Sequence, residues 1–571
     1  MNKKGKFLAI TLAGVACLGM LAGCGEKKRA AGYDPDAEDE SISQLYISNY
    51  QGGFGRAWLD ETVERFEAKY KDYSFESGKK GVNVNIYSSK NGTAGNSLIS
   101  SVLSSNYDVF FSQDTMLYKL VSADVAADIT DIVTGSLSDI TNGVETGSIA
   151  DKFDPTLKNF FDVNGKYYAL PGYEAPKGIY YDVDLFDQKG LWMTKDGEFV
   201  KKTDVDAEDL STGPDGQMNT YDDGLPNTFD DFFALCDYMV EDAGVTPFTW
   251  TGQFIGYTTT TLAQLWADYE GKEQFYLNFS FDGTAKSLVN SMSGNGAPVN
   301  GTYADMMPAT QITNENAYLL QRQAGKYVAL DFAKRIISNS NYYSDKAFAS
   351  TESHLLAQDT FLRSRVATNK PIAFLMEGVW WENEAAESGT FRELEEYGET
   401  RESRRFGWLP FPKASEDRVG QKRTIADTSE NSTAFINAKL EGDEARLKMA
   451  KTFLQFCYTD NELQEFTVNT STMRPVKYAM PQDKLERMSY FGQQVASTRN
   501  NSNIEMVYCF SDNEIFINSN DKFYLPDYSW KTSKWENAPL YVFKNNSNVT
   551  VKDFFTQMVK EREDDWKNWN K

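Results

Sequence analysis

Hydrophobic side chains recur near the start of the chain with spacings that predict alternating strands and helices. A short strand over residues 45–47 precedes a helix with apolar positions repeating over 58–70. Apolar and polar residues alternate over 82–86, as in a half-buried strand, and a helical pattern over 98–103 leads to a buried-type strand over 107–111. This βαβαβ order predicts a parallel or mixed sheet in an α/β fold.

Similar patterns continue through the remaining chain. Residues 167–171 and 177–181 are predicted to be strands that frame a turn, and 371–376 is predicted to be a further strand. Thr228 is predicted to cap a helix in a variant capping box, and 445–458 has the spacing of an amphipathic helix. The α/β character therefore extends over most of the chain.

The N-terminus has the features of an export signal. Three lysines precede residue 7, and an apolar run covers 7–21. As a helix this run would be ~22 Å long, too short for the ~30 Å hydrocarbon core, so a cleaved signal is favoured over a membrane span. Residues 21–24 (LAGC) resemble a bacterial lipobox, which implies removal of residues 1–23 and lipidation of Cys24.

The segment that follows connects the predicted lipid to the fold. Residues 24–43 contain many acidic and almost no bulky apolar side chains, which predicts a flexible linker. Several acyl chains anchor a protein stably to a membrane surface. We therefore expect the protein at the extracellular face of the cell membrane, held through Cys24.

Composition excludes several classes of function. The 571 residues include 58 Lys and Arg against 82 Asp and Glu, a net charge of −24, which argues against a nucleic-acid partner. The chain has one histidine, His354, which excludes zinc sites built from several histidines. The polar residues around His354 indicate a solvated position at a helix start or in a loop. Cys236 and Cys457 fall in apolar helical patterns and are interpreted as core residues.

Two segments invite ligand hypotheses of their own. The glycine loop at 52–55 follows a strand and opens a helix, yet it lacks the third glycine of a dinucleotide fingerprint, so no nucleotide cofactor is expected. Residues 193–224 are rich in Asp and Glu and are interpreted as an acidic insertion. Part of it alternates like an EF-hand loop, but Asp209 stands where the loop needs Gly, so bound calcium remains open.

A series of short motifs resembles, in order, the bacterial extracellular solute-binding proteins of family 1, the carbohydrate-directed group. Each motif is weak by itself, but their order behind a lipobox is specific. The motifs are residues 50–55 (YQGGFG), 107–110 (YDVF), 166–171 (KYYALP), 178–186 (GIYYDVDLF), 226–232 (PNTFDDF), 378–381 (GVWW), 406–410 (FGWLP) and 473–475 (MRP).

The resemblance implies a two-lobed, type II periplasmic-binding-protein-like α/β fold with crossing segments and a ligand cleft between the lobes. We assign 44–135 plus 365–412 to the N-terminal lobe, and 136–364 plus 413–571 to the C-terminal lobe. The resemblance also implies a non-enzymatic protein without a cofactor that delivers a carbohydrate, most simply an oligosaccharide, to the permease subunits of an ABC transporter. We expect a monomer.

Sugars present apolar C–H faces and many hydroxyls, so their sites combine aromatic rings with carboxylate or amide acceptors. Ligands of open α/β sheets bind beyond the carboxyl ends of the strands. Trp380 and Trp381 adjoin, so at least one of them is expected to pack inward, and the sequence does not decide which one faces the cleft. The predicted ligand-binding residues are Gly53, Phe54, Asp114, Tyr173, Glu174, Trp250, Glu377, Trp380, Trp381 and Arg474.

Other functions remain open at this stage. A surface glycoside hydrolase could use paired carboxylates and needs no histidine. A binder of a non-sugar polar solute would share the same fold, and a surface adhesion or structural lipoprotein would have no small ligand. No catalytic residue is predicted.

Overall fold

The computed structural model describes residues 39–90, 94–290, 305–367, 369–518, 527–528, 530–531 and 538–569. The predicted signal peptide, Cys24 and most of the linker 24–43 lie outside the described residues. No helix in the described ranges is both long enough and apolar enough to cross a membrane.

Short strands and helices of mixed length follow one another along the described chain. The strands are β1 (Ser43–Tyr50), β2 (Val82–Ser89), β3 (Val109–Ser112), β4 (Leu170–Pro171), β5 (Lys177–Asp182), β6 (Trp192–Met193), β7 (Phe199–Val200), β8 (Thr246–Trp250), β9 (Gly283–Ala285), β10 (Thr310–Ile312), β11 (Ile372–Gly378), β12 (Phe406–Trp408), β13 (Arg423–Asp427), β14 (Thr433–Ile436) and β15 (Ile504–Tyr508). The α-helices are α1 (Ala57–Tyr70), α2 (Gly95–Ser104), α3 (Leu117–Ser122), α4 (Thr130–Thr134), α5 (Ser138–Thr141), α6 (Pro155–Phe161), α7 (Val183–Lys189), α8 (Phe229–Tyr238), α9 (Gly256–Glu270), α10 (Lys272–Ser280), α11 (Ala324–Ser338), α12 (His354–Ala367), α13 (Trp381–Glu387), α14 (Thr390–Leu394), α15 (Glu444–Phe456), α16 (Asp460–Thr470), α17 (Gln482–Leu485), α18 (Tyr490–Asn500), α19 (Glu514–Asn518), α20 (Pro539–Asn545) and α21 (Val551–Trp569).

A five-stranded sheet organises what we call the first lobe. Its strand order is β2-β1-β3-β14-β4, with β1 parallel to both β2 and β3 and with β14 antiparallel to β3 and β4. The βαβαβ start predicted from the sequence is confirmed. Leu45 and Ile47 of β1 are fully buried, and the helix α1 places Leu59, Val63 and Phe66 in the same core.

A four-stranded sheet organises the second lobe. Its order is β12-β5-β11-β8, in which β11 runs parallel to β8 and antiparallel to β5. One face of the sheet carries Ile179 and Phe374 into a second hydrophobic core. The opposite face carries Tyr180 and Leu375 into the core that is continuous with the first lobe. Such burial on both faces explains why β5 and β11 are apolar along most of their lengths.

Strand pairing differs from the predicted assignment of residues to lobes. We predicted 365–412 with the N-terminal lobe, but β11 and β12 pair with β5 and β8 in the second lobe. Conversely, β14, which was predicted in the C-terminal lobe, completes the sheet of the first. An apolar run predicts that a strand is buried but does not indicate which sheet the strand joins. Strand pairing depends on contacts between residues that are far apart in the sequence.

Three crossing segments, residues 171–177, 427–433 and 471–475, connect the lobes. The first links β4 to β5, the second links β13 to β14, and the third follows α16. Backbone N–H groups of Gly172 and Glu174 donate to the carbonyl oxygens of Ser432 (3.0 Å) and Met473 (2.8 Å). The crossing segments therefore form one hydrogen-bonded bundle between the two sheets.

The predicted insertions and tail pack mainly on the second lobe. The hairpin β6–β7 opens the acidic insertion 193–224, which leads to α8. Thr228 and Asp231 form the predicted capping box, each side chain accepting from the other's backbone N–H. In the C-terminal tail, α20 and α21 pack against α11. These additions enlarge the second lobe and leave the cleft between the sheets in place.

Candidate functional site

The ends of strands from both sheets meet beside the crossing segments. In the first lobe, the glycine loop 52–55 follows β1, and Gln113 and Asp114 follow β3. In the second lobe, Trp380 follows β11, and Lys177 begins the antiparallel neighbour β5, opposite Gly378. Carboxyl ends of parallel strands share one sheet edge, so this is the position at which open α/β folds bind ligands.

The two walls of this cleft touch each other at Gly53. A Cβ atom added to Gly53 would lie 2.3 Å from Cδ1 of Trp380, so a side chain there would collide with the indole. The Asn383 side chain donates to the carbonyl oxygen of Gly53 at 3.0 Å. Glycine therefore permits a contact between the lobes that any other residue would obstruct.

Aromatic rings form a continuous row through the cleft. Ring centroids lie 4.3 Å apart for Tyr173 and Phe54, 6.0 Å for Phe54 and Trp380, and 6.0 Å for Trp380 and Tyr257. Phe54 belongs to the first lobe and Tyr173 to the first crossing segment, whereas Trp380 and Tyr257 belong to the second lobe. The Phe54–Trp380 and Trp380–Tyr257 pairs meet edge to face, at interplanar angles of 74° and 84°. The row thus joins apolar rings from both walls, and such ring surface suits the C–H faces of a sugar.

One cation stands at the centre of this row. The Lys177 Nζ atom lies 5.1 Å from the Trp380 ring centroid and 5.3 Å from that of Tyr257, and it forms an ion pair with Glu430. Its ammonium group is therefore held between two ring faces and a carboxylate. Glu430 itself has a positive φ of 47°, in the turn of the second crossing segment.

Asp114 supplies a carboxylate on the opposite wall. Its side chain reaches solvent, and its φ is 57°. Desolvation by the surrounding protein, and then the charge of Glu430, raise the pKa of Asp114 to about 6. Asp114 is thus ionised at neutral pH and able to accept hydrogen bonds from hydroxyls.

A buried polar cluster lies behind Trp380 in the second lobe. Glu384 accepts a hydrogen bond from Gln358 at 2.9 Å and lies 3.2 Å from Nε2 of His354. Glu377 is fully buried, and desolvation followed by the charge of Glu384 holds its pKa well above the usual range. The predicted solvated histidine is therefore at a helix start, as expected, but it is packed into this cluster.

A small cavity of about 20 Å³ adjoins the site in the first lobe. Arg474 lines it, stacked 4.2 Å from the Phe466 ring centroid and 5.0 Å from that of Trp58, and its Nη1 donates to the Gly172 carbonyl at 2.6 Å. Tyr50 and Phe54 line the same cavity and join it to the aromatic row. The guanidinium is thus held mainly by rings and backbone.

Five of the predicted ligand residues come together at the cleft. The group consists of Gly53, Phe54, Asp114, Tyr173 and Trp380. Glu377 lies in the polar cluster behind Trp380, and Arg474 lies in the adjoining cavity. Their contact with a ligand stays a prediction.

The structure places three predicted residues elsewhere. Trp250 is fully buried against Phe348 (5.1 Å between ring centroids) in the second core. Trp381 is fully buried against Phe406 at 4.9 Å, so Trp380 is the tryptophan of this pair that faces the cleft. Glu174 accepts from Arg499 Nε at 2.7 Å and from the Tyr508 hydroxyl at 2.8 Å within the crossing segments.

Several cleft residues were not predicted from the sequence. They are Tyr50, Gln113, Lys177, Tyr257, Glu384 and Glu430. Tyr50 and Lys177 stand at strand ends that the hydrophobic pattern locates, so that signal could have found them. Glu430 reaches the cleft only through the turn of a crossing segment, for which the local pattern gives no signal.

Within the described residues, no group of three or more His, Cys, Asp or Glu side chains is arranged to hold a metal ion. This covers the acidic insertion, where Asp222 accepts hydrogen bonds from Thr220 (2.7 Å) and from the Asp215 backbone N–H (3.0 Å). The Asp222 carboxylate is therefore held by hydrogen bonds from within the insertion.

Solved structures share this architecture at low sequence identity. RafE in complex with raffinose matches with a TM-score of 0.51 and 13% identity, over 91% of this chain and 100% of that one. A chitin oligosaccharide binding protein matches with a TM-score of 0.52 and 14% identity, over 92% of this chain and 100% of that one. Maltose-bound MalE3 of T. maritima matches with a TM-score of 0.51 and 14% identity, over 91% of this chain and 99% of that one. These similarities establish the two-lobed fold predicted from the sequence.

No curated protein matches the sequence. The family model described as bacterial extracellular solute-binding protein matches residues 57–343, just over half of the chain, with strands from both sheets. With the two-lobed fold and the cleft, this match shows that the chain belongs to the bacterial extracellular solute-binding proteins.

Proposed function

We propose that this protein is the substrate-binding subunit of an ABC importer and that it captures a carbohydrate, specifically an oligosaccharide, between its lobes. The observation that carries the proposal is the row of aromatic rings that crosses the cleft between carboxylates on both walls. Ring faces match the C–H surfaces of sugars, and carboxylates accept from their hydroxyls. The solved structures of RafE with raffinose, of maltose-bound MalE3 and of the chitin oligosaccharide binding protein are consistent with this solute class.

Lobe closure is the proposed mechanism. Trp380 already touches Gly53 across the cleft, so a ligand that enters between the walls must separate them and then bridge them. A solute that contacts both walls favours the closed arrangement through these differential contacts, and the crossing segments supply the hinge. The closed protein would then dock on the permease and release its solute unchanged.

The N-terminal motif supports an anchored location. Lipidation of Cys24 would hold the solute-binding domain at the extracellular face of the membrane, near its permease. A Cys24→Ser variant is expected to lose the incorporation of a labelled fatty acid supplied to the cells, which the unchanged protein should show. Equal labelling of the variant and the unchanged protein would contradict this part of the proposal.

Calorimetric titration with neutral saccharides of one to four units tests the solute class. We expect at least one saccharide to bind with a micromolar dissociation constant, a net free energy of about 8 kcal/mol. Trp380→Ala should remove this binding, while Tyr397→Ala, an exposed aromatic outside the cleft, should leave it unchanged. A panel without any binding saccharide would reject a carbohydrate solute in favour of another polar one.

The same mixtures separate binding from hydrolysis. A glycoside hydrolase would release new reducing ends over hours, whereas a transport protein returns the saccharide intact. We expect chromatography of the incubated saccharides to show no shortened products.

A further inference from the structure

The aromatic row does not stop at the cleft. Beyond Tyr257 it continues to Phe254, whose ring centroid lies 6.4 Å from that of Tyr257 and 5.2 Å from that of His354. Trp380, Tyr257 and Phe254 therefore follow one another in steps of 6.0 and 6.4 Å, from the interior of the cleft to the surface. Each step is comparable to the repeat of a sugar chain.

The outer end of this row is apolar and open to solvent. Phe254 is 42% exposed, and Leu355 and Leu356, which follow His354, are 38% and 49% exposed. The loop that carries Phe254 is nevertheless fixed, because the Gln253 backbone N–H and the Thr251 hydroxyl both donate to the Glu352 carbonyl oxygen, at 3.0 and 2.9 Å. A held loop with an exposed ring next to the cleft is the arrangement of a binding surface.

One hydrogen-bonding group beneath these rings is unused. Among the described residues, the buried Nδ1 atom of His354 has no hydrogen-bond partner, whereas its Nε2 atom lies 3.2 Å from Glu384. The Glu377 and Gln358 side chains of the same polar cluster interact with each other. Buried polar groups are normally paired, so the His354 imidazole, in contact with the Phe254 ring, is placed to meet a polar group of a ligand.

We infer that Phe254, Tyr257 and the polar cluster of His354, Gln358, Glu377 and Glu384 form an outer subsite for the third and later units of a saccharide chain. This inference rests on the proposed function and narrows it to solutes of three or more units. Inner units would occupy the row from Tyr173 to Trp380. The outer unit would stack on Phe254 with its hydroxyls toward the polar cluster, so selectivity for chain length would reside in the second lobe.

A chain-length series tests the subsite. Wild-type protein, Phe254→Ala and Tyr397→Ala are titrated with maltose, maltotriose, maltotetraose, raffinose and chitin oligosaccharides of two to four units. Tyr397 is 45% exposed and is the matched control. We expect a binding saccharide of three or four units to lose at least tenfold in affinity with Phe254→Ala, and its two-unit form to lose less than twofold. Equal losses at all lengths, or no loss, would overturn the inference.

The single histidine supplies a direct readout. His354 is the only histidine in the sequence, so protein purified without a histidine tag has one pair of imidazole signals to follow by NMR. Those signals should shift on saturation with a binding saccharide of three or four units and stay in place with the two-unit form. Signals that do not move with any bound saccharide would overturn the subsite.

Failure of the proposed function and failure of the outer subsite give different results in these experiments. If no saccharide of any length binds wild-type protein, the proposed function fails and the inference falls with it. If saccharides bind but the Phe254 variant and the His354 signals respond identically at every length, the function stands and the outer subsite alone is rejected.

Discussion

The crossing segments and the second-lobe wall of the cleft each bury a glutamate, and the two are satisfied in different ways. Glu174 in the crossing segments accepts from both Arg499 and Tyr508, at 2.7 and 2.8 Å. Glu377 in the cleft wall lies beside a second carboxylate, Glu384, and its hydrogen-bond partners are the Gly378 backbone N–H, at 2.9 Å, and the uncharged Gln358 side chain.

This difference separates a structural carboxylate from a candidate functional one. A buried ion pair with matched hydrogen bonds is complete in itself and has nothing left to offer a ligand. Two neighbouring buried carboxylates are costly unless another group compensates them, which is the usual condition of binding sites. The comparison shows that burial and residue type alone do not identify a ligand-binding residue. The hydrogen-bond and ion-pair partners of the side chain distinguish a structural carboxylate from a candidate functional one.

The largest expected effect on stability comes from breaking the ion pair between Glu174 and Arg499. Glu174→Gln leaves the Arg499 charge without its carboxylate, and we expect the free energy of unfolding to fall by about 3–5 kcal/mol. Urea unfolding followed by circular dichroism measures this loss. The matched control is Glu505→Gln, because Glu505 pairs with Lys422 at the surface, where an ion pair contributes at most ~1 kcal/mol. A loss for Glu174→Gln no larger than that of the control would contradict the structural role.

The adjacent tryptophans extend the comparison within one wall. Trp381 is enclosed by Phe361, Phe406 and Phe491, so Trp381→Ala should cost about 3–5 kcal/mol of unfolding free energy. Trp380→Ala should cost less stability and instead lower saccharide affinity at least tenfold. Unfolding curves and titrations of both variants check this division. Equal stability losses would show that Trp380 is a core residue too.

The sequence predicted the parts of this molecule that local spacing and short motifs encode. The βαβαβ start, the capping box at Thr228 and the family with its two-lobed fold all follow from patterns within a few residues. Gly53 and Trp380 were located because they belong to motifs that end strands.

The remaining assignments depend on contacts that local patterns do not contain. Glu174 meets Arg499 at a sequence distance of 325 residues, and that pairing turns a predicted ligand contact into an ion pair. Likewise, β11 was predicted as a strand but assigned to the wrong lobe, because an apolar strand can join either sheet. Burial of Trp250 is decided by Phe348, nearly a hundred residues further along the chain.

Removing the charge of Glu377 in the cleft wall should raise the free energy of unfolding, whereas Glu174→Gln in the crossing segments should lower it. Burial and Glu384 hold the pKa of Glu377 above its unfolded value, so the folded state binds the proton more tightly, and this group lowers stability as pH rises above about 4. Glu377→Gln removes that effect and should raise unfolding free energy by about 0.5–2 kcal/mol at pH 8, and by less at pH 5. Thermal unfolding at both pH values measures it. A loss of stability at pH 8 would show that Glu377 is compensated like Glu174.

The smallest effect concerns the carboxylate of the first wall. Asp114 has a pKa of about 6, so it takes up a proton as pH falls through that value. If its ionised form accepts sugar hydroxyls, affinity should be nearly constant above pH 7 and should fall up to about tenfold by pH 5. Asp114→Asn, which keeps the shape but cannot titrate, should bind with an affinity independent of pH over this range. Calorimetric titration at pH 5, 6 and 7 makes the comparison, and the same fall in affinity for the Asn variant would transfer the effect to another group. A flat profile for the wild type as well would remove Asp114 from the binding surface, and would leave recognition to the rings and to the carboxylates of the second wall.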